Sequence, residues 1–203
     1  MDTEVKTTFL QRHPVLKDAI GLVGFIIAVV VGTVILNSFV FRSYNVVGGS
    51  MENTLHSDDR ILVNRMPVTI AHLQNKEYVP ERGQIIVFTN PNGNSIEKDK
   101  YIIKRVIAFA DERVVVKGGV LTVYNDEHPS GFEPDLGFHG EPKKHTDGDV
   151  DIVVPEGEIF VSGDNRENGN SYDSRNGLGT IPLYDVVGPA GMRIFPFDKI
   201  RLF

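Results

Sequence analysis

The chain contains no cysteine among its 203 residues. That excludes a thiol nucleophile, a thiolate metal site and a disulfide framework. It leaves the redox compartment open, because a chain without thiols is safe on either side of a membrane. Positive charge is also scarce: 21 Lys and Arg stand against 27 Asp and Glu, for a formal net charge of -6 and a pI near 5.5. No bulk basicity exists to attract nucleic acid, so none is expected as a partner. Several catalytic signatures are missing too. There is no HExxH or similar histidine spacing for a metal and no GxSxG elbow, and Ser50 does not open an SxxK motif, since it is followed by Met-Glu-Asn.

The most informative absence is local. From Ala19 to Phe41 no residue is charged, and AIGLVGFIIAVVVGTVILNSFVF is almost wholly apolar. As a helix this run reaches roughly 33 Å, enough to span a hydrocarbon core of about 30 Å. A buried core helix is usually shorter or carries a polar stripe. A cleavable signal peptide has a shorter apolar region and a small-x-small exit, whereas bulky Phe39, Val40, Phe41 and Tyr44 follow here. An uncleaved transmembrane anchor over residues 19–41 is expected. Lys6, Arg12 and Lys17 precede it and Arg42 alone follows closely. The positive-inside rule then places residues 1–18 in the cytoplasm and residues 42–203 outside the cell.

Beyond Arg42 short apolar or β-branched runs recur between Gly, Asn, Asp and Pro: SYNVVG, RILVNRM, QIIVFTN, YIIKRVIAF, RVVVKGGVLTVYN, DIVVP, IFVSG and DVVGPAGMRIFPF. Many short strands with turn punctuation predict a mostly β domain. Gly118-Gly119 between two alternating strands predicts a hairpin. Between Asp126 and Asp151 the chain turns polar for longer than a compact domain normally allows a loop, so this excursion is either functional or a surface insertion.

Most polar groups read as ordinary surface. His13, His56, His72, His128, His139 and His145 are scattered. Asp147, Asp149 and Asp151 alternate like a calcium loop but lack its central Gly and terminal Glu, so a charged strand entry fits them better. Ser50 lies in GGS, a turn signal in which serines are common. Its glycines would let the backbone approach a ligand closely and leave the Ser50 amide free as an oxyanion donor. Without a histidine partner, a serine nucleophile here would have to use lysine as its base. Lys104, flanked by Ile102, Ile103, Val106 and Ile107, meets the need for a depressed pKa better than any other lysine. From spacing alone the more ordinary reading is a lysine snorkelling from a strand edge. Because strand neighbours alternate faces, Lys104 and Arg105 must point oppositely, and one of them faces inward or lies on an edge.

Taken in order, the runs resemble type I signal peptidases of the short, Gram-positive kind. VVGGSMENTL is similar to the family's G-x-S-M-x-P-T-L, DDRILVNRM to its D-x-[IL]-[IL]-V-x-[KR], and ERGQIIVF to R-G-D-[IV]-V-V-F. YIIKRVIAF matches the run that carries the family's lysine, GDNRENGNSYDSRNGLG matches G-D-N-R-x-x-S-x-D-S-R-x-x-G, and GPAGMRIFP resembles the closing strand. The resemblance implies a two-part β-fold catalytic domain behind a single anchor, with no metal or organic cofactor. It implies Ser50 as nucleophile, Lys104 as general base and Ser171 as the hydroxyl that orients the lysine. Gly48 would lie beside the oxyanion hole, Gly163 and Asp164 would open a supporting turn, and Asp173 with Arg175 would form an ion pair that holds the loop. Met51 and Ile103 would serve the substrate pocket. The implied partners are preprotein signal peptides, cleaved after a small-x-small motif, and the lipid bilayer. The motifs do not specify an oligomeric state.

The sequence departs from the family pattern at Asn53, where Pro is usual, at Gln84, where Asp is usual, in Ala108-Phe109-Ala110-Asp111-Glu112, and by the added Gly169-Asn170. None of these removes a reacting group. Two other readings stay open. The chain could be a non-catalytic relative that assembles surface structures such as pili, although it keeps Ser50 and Lys104. Self-cleavage of the phage-repressor kind fits less well, given the anchor and the lack of a DNA-binding segment.

Overall fold

The computed structural model describes residues 13–93, 100–135, 145–167 and 169–203. The chain divides into two units, Met1–Val40 and Phe41–Phe203.

In the first unit, helix α1 runs from Pro14 to Ile35 and continues as a π-helical turn over Leu36–Val40. Pro14 suits the first helical position, where its missing N–H removes nothing the helix could use. The helix therefore starts ahead of Ala19 and takes in Lys17 and Asp18. Val15–Val40 is 26 residues long with a mean hydropathy of 2.8 and buries none of its residues, so it is long and apolar enough to cross a membrane. Its polar side chains fold back onto their own helix: Thr33 Oγ1 donates to the Val29 carbonyl at 2.8 Å and Asn37 Nδ2 to the Thr33 carbonyl at 3.1 Å. Such back-bonding satisfies groups that an apolar surrounding cannot.

The second unit is mostly β. Its elements are β1 (Phe41–Asn45), β2 (Arg60–Asn64), a short helix α2 (Met66–Leu73), β3 (Ile85–Thr89), β4 (Tyr101–Phe109), β5 (Arg113–Lys117), β6 (Val120–Tyr124), β7 (Val150–Val153), β8 (Glu158–Ser162), β9 (Ile181–Pro182), β10 (Val186–Phe195) and β11 (Arg201–Leu202). The run RILVNRM is strand only to Asn64. Pro67 then falls in the first turn of α2, where it is tolerated. An eight-stranded sheet has the order β1-β2-β10-β3-β4-β8-β9, with β11 against β10, and a three-stranded sheet has the order β6-β5-β7. Every pairing is antiparallel.

Alternation sorts side chains into the core. In β3, Ile85 and Val87 join one apolar cluster with Val46, Met51, Leu55, Ile61 and Val63, while Ile86 and Phe88 join another with Val106, Ile159 and Val161. A strand buried on both faces reads as a continuous apolar run, as QIIVF does. The small sheet alternates more simply, with Val114, Val116, Leu121 and Val123 turned inward onto Ile107 and Phe160. Its hairpin closes through Gly118 and Gly119, at φ 59° and 84°. Both residues need positive φ for a two-residue turn that matches strand twist.

The polar excursion is partly ordered structure. Phe132 bridges to Val123 and packs on the small sheet's core, and β7 begins at Val150. Residues 136–144, with His139, lie outside the described residues.

Candidate active site

Ser50 follows β1 in a tight turn whose neighbours are anchored below it. Met51 and Leu55 are fully buried in the first cluster, and the Leu55 amide donates to the Met51 carbonyl at 2.8 Å. Met51 is therefore a core residue beneath the turn, and the groove beside Ser50 is walled by others. A second chain segment holds the turn from above. The Asn165 amide donates to the Ser50 carbonyl and Asn165 Nδ2 to the Gly49 carbonyl, both at 3.0 Å.

Lys104 lies in β4, which puts a nine-residue apolar strand through the sheet interior. It is only 3% exposed. Its Nζ lies 2.7 Å from Ser50 Oγ and 2.9 Å from the Ile103 carbonyl. Burial drives its pKa down from 10.5 to about 8. The charges of Asp173 and Asp164 oppose that shift, and Arg175 adds to it. An amine with this pKa is partly neutral near neutral pH and can accept a proton.

Arg105, the next residue, meets a different partner. Its guanidinium binds Asp164 twice, Nε to Oδ1 at 2.7 Å and NH2 to Oδ2 at 2.5 Å, and NH1 binds the Gly83 carbonyl at 2.7 Å. Thr54 Oγ1 also donates to Asp164. One strand thus sends Lys104 to the serine and Arg105 to the turn that supports the serine. Both side chains are buried, and alternation separates them.

Asp173 and Arg175 form a buried pair at 2.7 Å. Asp173 also accepts from the Gly163 amide at 2.9 Å. Burial pushes its carboxyl up, but the bonds and charge of Arg175 and the Gly163 amide outweigh that and hold it below the usual range. Ser171 Oγ lies close enough to Asp173 to assist, yet it is buried without a geometrically sound hydrogen bond. It is not among the Lys104 partners. It packs against Gly163 so closely that a Cβ there would collide with Ser171 Oγ and with the Ser50 carbonyl oxygen. Gly48 adopts φ +90° beside the serine, with its amide directed to Ser57 Oγ at 3.3 Å. Among the described residues the Ser50 amide donates to no acceptor.

A groove of about 910 Å³ opens over this pair. Its apolar lining includes Val46, Val47, Ile61 and Ile103, and its polar lining Asn92, Asn170 and Tyr172. The pairing of β4 explains the opening. Over Tyr101–Arg105 it is bonded to β3, but β8 joins its other edge only from Arg105 onward. Next to Lys104 one strand edge is therefore free of a strand partner among the described residues.

Sequence reasoning overlooked Asn165, Thr54 and the Arg105–Asp164 contact. The signal for the last was two adjacent cations in an apolar strand, since the one without a catalytic use needed a buried acid. The aspartates 147, 149 and 151 do not converge: Asp147 pairs with His145, and Asp151 with Arg113 across β5 and β7.

Comparison with known proteins gives the same result. Residues 17–195 match the family model described as signal peptidase, peptidase S26. Signal peptidase I of Bacillus licheniformis is 36% identical over 186 residues, covering 87% of this chain and 88% of that one. Signal peptidase I of Bacillus amyloliquefaciens is 35% identical over 181 residues, 87% and 88% of the two chains. Signal peptidase I U of Bacillus subtilis (strain 168) is 29% identical over 200 residues, 97% of each. With the family model matching most of the chain and relatives above 30% identity covered along most of their length, the chain belongs to the signal peptidase family, peptidase S26.

Proposed function

We propose that this protein is a membrane-anchored serine endopeptidase that removes N-terminal signal peptides from preproteins, with Ser50 as nucleophile and Lys104 as general base. The observation that carries this reading is the 2.7 Å contact between Lys104 Nζ and Ser50 Oγ at the floor of an open groove. Neutral Lys104 takes the Ser50 proton as Oγ attacks the scissile carbonyl carbon. The oxyanion that forms is met by the Ser50 amide, and Gly48 lets the main chain come close to it. The lysine ammonium then gives its proton to the departing amine, leaving the acyl group as an ester on Ser50. A water molecule, deprotonated by the same lysine, attacks the ester and releases the signal peptide with a free carboxylate.

The free edge of β4 beside Lys104 suits an extended substrate, which would add strand-like hydrogen bonds there. The apolar wall around Ile103 and Val46 suits small side chains before the cleaved bond. Asp173, Arg175, Gly163 and Asp164 hold the turn and loop around the pair and do not react. The family resemblance gives Ser171 the orienting of the lysine, a role it would take only once substrate is bound, since it makes no bond to Lys104 here.

Lys6, Arg12 and Lys17, ahead of the charge-free run that starts at Ala19, favour a cytoplasmic N-terminus, with the β-domain outside. Because the chain has no cysteine, a single Glu156→Cys substitution on the exposed surface reports this. A membrane-impermeant maleimide should label it in intact cells, and labelling only after lysis would reverse the orientation. For the chemistry, detergent-solubilised protein is incubated with a preprotein beside Ser50→Ala and Lys104→Ala. Processing by wild type alone is expected. Equal processing by all three would remove the pair from the mechanism, and none by wild type would favour an assembly role.

A further inference from the structure

The polar excursion at residues 126–151 has no place in the reaction above, yet it holds one side of a buried ion pair. The Arg166 side chain is 0% exposed. NH1 binds Asp135 Oδ2 at 2.6 Å and NH2 binds Oδ1 at 2.7 Å, a two-pronged contact. The same guanidinium donates from Nε to the Gly163 carbonyl at 2.6 Å and from NH1 to Thr146 Oγ1 at 3.2 Å. Asp135 and Thr146 belong to the excursion. Gly163 and Arg166 bound the turn whose middle residue, Asn165, donates to the Ser50 carbonyl. A second tie runs alongside: the Asp147 amide donates to the Arg166 carbonyl at 3.0 Å, and Arg175 NH1 reaches the carbonyls of Asp147 and Arg166.

We infer that Asp135 is a positioning residue for peptide cleavage, acting through Arg166 on the Gly163–Asn165 turn that fixes the main chain at Ser50. This rests on the Ser50 and Lys104 reading. A guanidinium is a rigid planar fork, so its bond to Gly163 and its bonds to Asp135 cannot be adjusted separately. Without the carboxylate, a fully buried cation must find water or another acceptor. Its reorientation pulls on the Gly163 carbonyl. Gly163 has no slack, because Ser171 Oγ and the Ser50 carbonyl lie against it. A shift of about 1 Å at a reacting group is enough to lower turnover on the order of a hundredfold. Asp135 bonds to neither Ser50 nor Lys104, and the charges that tune Lys104 are Asp173, Asp164 and Arg175. The expected signature is therefore a loss of kcat without displacement of the pH midpoint.

The test uses the full chain in detergent with a preprotein substrate, well below each variant's melting temperature. Asp135→Asn should lower kcat ten- to a hundredfold, leave KM within about twofold and leave the pH midpoint in place. The double variant Asp135→Asn/Arg166→Gln should be no worse than Arg166→Gln alone, as expected when one residue acts through the other. Asp151→Asn, which breaks an exposed pair on β7, should leave kcat unchanged. If Asp135→Asn does not fold, Asp135→Glu keeps the charge and moves the fork, and a reduced kcat supports the inference while a wild-type kcat overturns it. Wild-type kcat in Asp135→Asn, additive losses in the double variant, or a change confined to KM would overturn it as well. Should Ser50→Ala still process substrate, the underlying reading falls and this one with it. With Ser50→Ala inactive and Asp135→Asn unimpaired, only the present inference fails.

Discussion

Lys104 Nζ sits 2.7 Å from Ser50 Oγ, and its other bond, at 2.9 Å, turns back to the carbonyl of its own neighbour Ile103. Among the described residues the amine bonds directly to no carboxylate, although Asp173 and Asp164 are near enough to act on it through space. Burial therefore dominates its chemistry.

The first expectation concerns rate against pH. Only the neutral amine can accept the serine proton, and its pKa is about 8. Activity should rise with pH and level off above that value, and two units lower it should be roughly a hundredfold down. Initial rates of preprotein cleavage between pH 6 and 9 report this directly. A flat profile would contradict a lysine base.

The same group predicts a stability effect. The folded pKa of about 8 is below the ordinary 10.5, so between those values the unfolded chain holds a proton that the folded chain has lost. Unfolding free energy should therefore rise with pH across that window. Stability from this group is complete above the upper value and declines as pH falls toward the lower one. Lys104→Met should remove this component. Urea unfolding of both proteins at several pH values gives the difference, and parallel curves would count against the shift.

Asp164→Ala tests the buried support. It leaves Arg105, 1% exposed, without its carboxylate. Breaking such a pair costs about 3–5 kcal/mol. The expected result is a large fall in melting temperature, and a loss below about 1 kcal/mol would show that Arg105 finds another partner.

Gly163→Ala separates space from backbone freedom. Its methyl group would meet Ser171 Oγ and the Ser50 carbonyl. Overpacking of this kind costs about 1–3 kcal/mol, and the displaced serine should lower kcat on the order of a hundredfold. Gly157→Ala is the contrast: φ is +73° there but the surrounding space is open, so stability should drop by about 1 kcal/mol with kcat unchanged.

Ser171→Ala addresses a hydroxyl that lies near Asp173 without a hydrogen bond of sound geometry. Removing an unsatisfied buried group should leave stability within about 1 kcal/mol. A tenfold or greater loss of kcat would then measure an orienting bond formed only with substrate present. Unchanged kcat would end that role for Ser171.

Much of the strand pattern was legible because local chemistry dictates it. YIIKRVIAF is β4 from its first residue to its last, and Gly118-Gly119 closes the hairpin because only glycine takes both positive φ values at no cost. Boundaries were less legible where competing preferences meet. Asn64 ends β2 because Met66-Pro67 opens a helix, and α1 begins at Pro14 because Lys17 and Asp18 are compatible with it. The burial of Met51 was not legible, because its position next to the serine says nothing about which way a side chain points in a turn. The excursion stayed open between a functional segment and a surface insertion because its polarity hides a few partly buried anchors: Phe132 on the small sheet and Asp135 on Arg166.

The sequence by itself determined the apolar helix, the mostly β texture and the absence of thiol chemistry, each from composition or from residues close along the chain. Ser50 and Lys104 were marked by the resemblance of their motifs to a family's. The tertiary structure decided what those residues meet: the amine of Lys104 against Ser50 across 54 positions, Arg105 against Asp164 across 59, and Arg166 against Asp135 across 31. It also decided that Lys104 is buried deeply enough to lose its proton near pH 8. Desolvation depends on every neighbour in space, and no local pattern records it.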